Sequence, residues 1–150
     1  MKQIRCLGIA HSVTHILAED FDADGKVEVA VGTEYYGCDL VNHDGTMRWV
    51  YRLGTSEFTA VSAADVNGDG LKEVLMGTMA GTLHAISPKV VGEHETSTPP
   101  YKIGYTEAVW IANLGDEVTA ILPADVNGDG TLEIVATSME GNLYVLNLSG

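Results

Sequence analysis

The stretch ADVNGDG, Ala64-Asp65-Val66-Asn67-Gly68-Asp69-Gly70, recurs letter for letter at Ala124–Gly130, and a looser copy, EDFDADG, occupies Glu19–Gly25. Written out, the copies are Asp20-x-Asp22-x-Asp24-Gly25-x-x-Glu28, Asp65-x-Asn67-x-Asp69-Gly70-x-x-Glu73 and Asp125-x-Asn127-x-Asp129-Gly130-x-x-Glu133. Oxygen-bearing side chains at alternate positions, followed by a glycine for the sharp turn, are what a hard cation such as Ca²⁺ requires. An EF-hand would close with a glutamate at position 12. Here that position holds Val31, Met76 and Ala136, each inside an expected strand, so the helical calcium hand is excluded. The ninth-position Glu28, Glu73 and Glu133 are the expected closing carboxylates, and the backbone carbonyls of Lys26, Leu71 and Thr131 complete the shell. The expected cofactor is Ca²⁺, about three ions per chain, preferred over Mg²⁺ because an all-protein oxygen cage suits the larger ion. A single such stretch also reads as an Asx-rich turn without metal. Three of them concentrate carboxylates that repel one another, a cost that a divalent ion removes.

The surroundings of the loops repeat as well. Aligned on Asp20, Asp65 and Asp125, the copies lie 45 and 60 residues apart. A short apolar run precedes each loop (VTHILAED, FTAVSAAD, VTAILPAD) and another follows it (VEVAVGT, KEVLMGT, LEIVATS). A glycine-bearing turn and a third run come next, then a tryptophan-bearing fourth, TMRWVYRLG or AVWIANLG. Runs of four to eight residues rich in Val, Ile, Leu and Thr, bounded by turn residues, read as strands. Val74-Leu75-Met76 and Ile134-Val135-Ala136 are apolar at successive positions, which implies strands covered on both faces. A repeat of about 45 residues with four antiparallel strands is the size of a β-propeller blade. The fold class expected is therefore all-β, a β-propeller with three four-stranded blades per chain. The extra residues of the second repeat, about Pro88–Tyr105, are polar with a Pro-Pro step and read as a surface loop.

The pattern D-x-[DN]-x-D-G-x-x-E followed by EVLMGT and GTLHAIS resembles the FG-GAP and VCBS-type calcium-binding propeller repeats, which are similar to the blades of the integrin α-subunit head. The GTMRW step is similar to quinoprotein-like propeller repeats. The resemblance spans nearly the whole chain, and the loop is its specific part. It implies that each loop bridges the first and second strands of a blade and holds one Ca²⁺. Many family loops close with aspartate at the ninth place, where this chain has glutamate, also a carboxylate.

Propellers close with about 4–8 blades, and this chain reads as three. Blade repeats fall at about 11–54, 55–115 and 116–150, with an N-terminal strand at 1–10. KQIRCLGIAH lies upstream of Asp20 much as MRWVYRLGTS lies upstream of Asp65, with Ile4 in register with Trp49, and the third repeat ends after its third strand. A homodimer would then form a closed six-bladed ring, Met1–Ala10 of each copy pairing with the partner's last blade and covering edges that otherwise invite aggregation. The alternative is that the chain is an excerpt of a longer polypeptide, such as an adhesion protein, or that further blades follow Gly150.

Composition narrows the function. A net charge of −13 excludes partners that present rows of phosphates, so neither nucleic acid nor an anionic membrane surface is expected. The N-terminal apolar stretch is too short and broken for a signal-peptide core, and no run is long enough to span a membrane, so the compartment stays open. Cys6 and Cys38 lack metal spacing and read as free buried thiols, a disulfide between them being the alternative. No G-x-S-x-G elbow, H-E-x-x-H or P-loop is present. His11, His15, His43, His84 and His94 form no ligand spacing, and Trp49 and Trp110 recur at corresponding positions, which favours inter-blade packing. Two classes remain: a calcium-stabilised, non-catalytic scaffold for a protein or glycan, and the propeller of a polysaccharide lyase or quinoprotein-like enzyme.

Overall fold

The computed structural model describes residues 12–34, 37–54, 56–95 and 102–147. The expected N-terminal strand at 1–10, with Ile4 and Cys6, and also His11 and the Pro-Pro step, lie outside the described residues. The described residues form thirteen strands and no helix: β1 Val13–Glu19, β2 Glu28–Thr33, β3 Gly37–Val41, β4 Met47–Arg52, β5 Phe58–Ala64, β6 Glu73–Thr78, β7 Thr82–Ile86, β8 Gly92–Glu95, β9 Lys102–Tyr105, β10 Ala108–Asn113, β11 Val118–Ala124, β12 Glu133–Ser138 and β13 Leu143–Leu146.

They form three sheets. Sheet I runs β1-β2-β3-β4-β9-β8, sheet II β10-β7-β6-β5, and sheet III β11-β12-β13. Within each repeat the successive strands pair antiparallel, as short turns allow. The first strand carries a register shift at the same place each time, between Val13 and His15, Phe58 and Ala60, and Val118 and Ala120. A bulge held at one point of a repeat sharpens the local twist, as stacked twisted sheets require.

Sheet I packs on sheet II through Phe21, Ala30, Cys38, Leu40 and Trp49 against Phe58, Val74, Met76 and Ile86, all buried. Sheet II packs on sheet III through Leu75, Leu83 and Ala85 against Ile134 and Ala136. Strand β6 alternates between these two cores, so every one of its residues is buried. That is why its sequence, EVLMGT, is apolar on both faces.

One sequence expectation is corrected. The segment read as a surface loop at about 88–105 contains the antiparallel hairpin β8–β9. Strand β9 pairs in parallel with the outer strand of sheet I, Trp49 opposite Gly104 and Val50 opposite Tyr105. A chain segment that leaves β7 in sheet II therefore grips sheet I before returning to sheet II as β10. The close approach depends on Gly104, where a Cβ would collide with the Arg48 carbonyl oxygen. The described strands accordingly number six, four and three per sheet rather than four in each.

Candidate metal centre

The three carboxylate loops join β1 to β2, β5 to β6 and β11 to β12. In each, the sixth-position glycine takes a positive φ (Gly25 83°, Gly70 84°, Gly130 88°), a conformation nearly free for glycine. The first aspartate cradles the turn. Gly25 N–H donates to Asp20 Oδ2 at 3.0 Å, Gly70 to Asp65 Oδ2 at 2.8 Å and Gly130 to Asp125 Oδ2 at 2.9 Å. The fifth-position Asp24, Asp69 and Asp129 accept from the backbone N–H of Lys26, Leu71 and Thr131. Lys26 Nζ also pairs with Asp24 Oδ2 at 2.9 Å, Lys89 Nζ with Asp69 Oδ2 at 2.7 Å, and the Thr131 hydroxyl donates to Asp129. These hydrogen bonds hold all three carboxyls below their ordinary range.

The ninth-position glutamates point inward. Glu28, Glu73 and Glu133 are buried, and one oxygen of each accepts the N–H of the loop's second residue: Phe21 at 3.2 Å, Val66 at 3.0 Å and Val126 at 3.0 Å. The other oxygen separates the loops. In the second and third, the third-position asparagine donates its amide to it, Asn67 Nδ2 to Glu73 Oε1 at 3.1 Å and Asn127 Nδ2 to Glu133 Oε1 at 2.8 Å. In the first loop that residue is Asp22, which has no proton to give. Glu28 Oε1 is left buried without a hydrogen bond. Burial pushes the Glu73 carboxyl above its ordinary value; the Val66 N–H opposes this, and the charges of Asp69 and Asp65 add to it.

In the first loop, carboxylate oxygens of Asp20, Asp22 and Glu28 all lie within 4.8 Å of one another. Asp24 is turned to Lys26 instead. The donor set is hard oxygen, and its buried member Glu28 keeps one oxygen without a hydrogen bond, so the residues fit a divalent ion such as Ca²⁺. Among the described residues, no comparable cluster of three acidic or imidazole groups forms at the second or third loop.

The motif alone did not point to Arg48. Its Nη2 lies 2.7 Å from Asp22 Oδ2 and 3.9 Å from Glu28 Oε1, and its Nε donates to Asn42 Oδ1 at 2.6 Å. The available signal was an arginine before Trp49 where the second repeat has Val109 before Trp110.

Between consecutive loops lie two grooves. Asp22, Arg48, Leu71, Pro88, Lys89 and Val90 line one of about 460 Å³. The other, of about 750 Å³, is lined by residues of the second and third loops together with Val109 and Trp110. Trp49 is fully buried beside the first, its indole N–H donating to the Pro88 carbonyl at 3.0 Å. Trp110 is only partly buried at the edge of the second core.

Residues 20–76, which hold the first two loops and the strands between them, match the FG-GAP-like repeat family. No curated protein matches the chain. Among solved structures, BBS1N in complex with ARL6DN, soaked with mercury, is similar with a TM-score of 0.66 at 14% identity, over 95% of this chain and 39% of that one. BBS1N in complex with ARL6DN, soaked with lead, is similar with a TM-score of 0.65 at 13% identity and the same coverage. This chain thus spans about two fifths of the length of those neighbours, which are β-propellers, and the likeness shows the fold.

Proposed function

We propose that this protein is a calcium-stabilised, non-catalytic binding scaffold whose three propeller blades close into a six-bladed ring with a second copy. The observation that carries the calcium reading is the first loop, where carboxylate oxygens of Asp20, Asp22 and buried Glu28 lie within 4.8 Å of one another and Glu28 Oε1 has no hydrogen bond. Asp20, Asp22, Asp24 and Glu28 would hold the ion there, with Asp65, Asn67, Asp69 and Glu73, and Asp125, Asn127, Asp129 and Glu133, as the corresponding sets. The carbonyls of Lys26, Leu71 and Thr131 would complete each shell. The ion would supply charge neutralisation and turn rigidity at one end of every blade.

Closure by a second copy is supported by the sheet faces left open at each end. On sheet III, Leu122, Leu143 and Val145 lie on the side away from sheet II and are exposed by 61%, 66% and 51%. Ile16, on the side of sheet I away from sheet II, is 69% exposed. The positions of sheet II equivalent to Leu143 and Val145, Leu83 and Ala85, are completely buried by the next sheet. Large apolar side chains left open where their repeat equivalents are covered mark an association surface. A protein ligand is the favoured partner class, because the structural neighbour BBS1N is in complex with another protein, ARL6DN.

Light scattering with and without Ca²⁺ tests the assembly. A particle of twice 15.9 kDa is expected, and a 15.9 kDa monomer in millimolar Ca²⁺ overturns the ring. A melting temperature unchanged between chelator and millimolar Ca²⁺ overturns the calcium reading.

A further inference from the structure

We propose that Arg48 is a tethered counter-cation of the first loop, holding Asp22 and Glu28 in place until a divalent ion exchanges for its guanidinium. This rests on the calcium reading above and makes the first loop chemically unlike the other two.

Three observations carry it. The loops solve one problem, the second oxygen of a buried glutamate, in two ways. Asn67 and Asn127 donate an amide to it within their own loops. Asp22 cannot, and Arg48 reaches in from β4, 2.7 Å from Asp22 and 3.9 Å from the orphaned Glu28 oxygen. The second observation is that the guanidinium is aimed. Asn42 Oδ1 accepts its Nε–H, and Asn42 is in turn braced by its Nδ2 on the Thr46 hydroxyl at 2.9 Å. The Arg48 side chain is 18% exposed, so the pair is largely shielded from water. The third is the exchange of residues between repeats: where Asp22 becomes Asn67, Arg48 becomes Val109, so the extra negative charge and the extra positive charge come and go together.

A guanidinium holds carboxylates by directed hydrogen bonds and one diffuse positive charge. A calcium ion holds them with two charges and six to eight oxygens. The 3.9 Å separation leaves Glu28 Oε1 attracted but unbonded, the position that a smaller, more highly charged ion would satisfy. Arg48 therefore keeps the first loop assembled without metal and competes with metal for it. In the second and third loops a neutral amide holds the glutamate's second oxygen instead, and the cation of the second loop, Lys89, pairs with Asp69.

The sixth-position glycine amides make each loop separately visible, since each donates to its own first aspartate. Ca²⁺ alone would be titrated into the whole chain while the amide shifts of Gly25, Gly70 and Gly130 are followed by NMR. Melting temperatures would be measured in chelator and in saturating Ca²⁺. In Arg48→Gln, the Gly25 midpoint falls roughly fivefold, the worth of one shielded ion pair, while Gly70 and Gly130 keep theirs. The same variant loses more melting temperature in chelator than in Ca²⁺. Adding Asp22→Asn, which recreates the asparagine solution of the other loops, restores the chelator value. Should Arg48→Gln not fold in chelator, Arg48→Lys keeps the charge and lowers the Gly25 midpoint less. An unmoved Gly25 midpoint in both variants, with all three glycines titrating, overturns the counter-cation and leaves calcium binding standing. If no glycine amide responds to Ca²⁺, the calcium reading falls and this proposal falls with it.

Discussion

The interface between sheets I and II and the interface between sheets II and III are built from the same repeat, yet they are filled differently. The first buries Phe21, Leu40, Trp49, Phe58 and Met76 and is overlaid at its outer edge by the hairpin β8–β9. The second relies on Ala64, Ala85 and Ala136 with Leu75, Leu83 and Ile134, and its tryptophan, Trp110, is only partly buried. The repeat thus specifies the stacking of sheets, while the side chains between them and what lies over the outer strand decide how much apolar surface leaves water.

The largest expected effect tests that contrast directly. Trp49→Ala should cost about 3–5 kcal/mol in denaturant unfolding, whereas Trp110→Ala should cost less than half as much. Equal losses would break the comparison. Loss of a single bound ion comes next. At a free concentration one hundred times Kd, each occupied loop contributes about 2.7 kcal/mol, so chelation should lower the melting temperature in proportion to the loops filled. Two glycines sharpen the contrast at about 1–3 kcal/mol each. Gly77→Ala drives a methyl into Val118 across the second interface, and Gly104→Ala drives one into the Arg48 carbonyl beneath the hairpin. Hydrogen exchange should place the first loss in sheets II and III and the second in sheets I and II.

A smaller effect concerns pH without metal. The Glu73 carboxyl is raised by burial, so the folded chain holds its proton more tightly than the unfolded one does. Its penalty develops as pH rises from the ordinary glutamate value through the raised one, and acidification towards the ordinary value in chelator should relieve it. Glu73→Gln should remove that gain in melting temperature. At lower pH the lowered carboxyls of Glu19, Asp24, Asp69 and Asp129 take over, and stability falls as each is protonated. The smallest effect is Ala23→Gly. Ala23 has φ 59° where the other loops have Gly68 and Gly128, and relieving it should stabilise the chain by about 1 kcal/mol in thermal unfolding.

The sequence disclosed what is local. The alternate carboxylates, the sixth-position glycines and the apolar runs on either side all act within a dozen residues, and β6 could be read as doubly covered from EVLMGT alone. The hairpin was illegible for the opposite reason. GEHE and KIGY are four residues each and largely polar, and β9 is held by pairing with Trp49 and Val50, about fifty residues earlier in the chain. Arg48 was missed likewise, since it lies in β4 while its partner Asp22 lies in the loop between β1 and β2. Only Gly104 carried a trace of the hairpin, as a residue without a side chain where β9 presses on β4.

That parallel pairing has a consequence for cooperativity. Repeat proteins whose units touch only through neighbouring faces can lose an end unit while the rest stays folded. Here the chain crosses from sheet II to sheet I and back before sheet III begins. Sheets I and II are thereby interlocked and should open as one unit, with matching exchange protection in β2 and β6. Sheet III, attached to sheet II by its face, is the unit able to detach first, which leaves the same molecule with one fused pair and one hinged leaf.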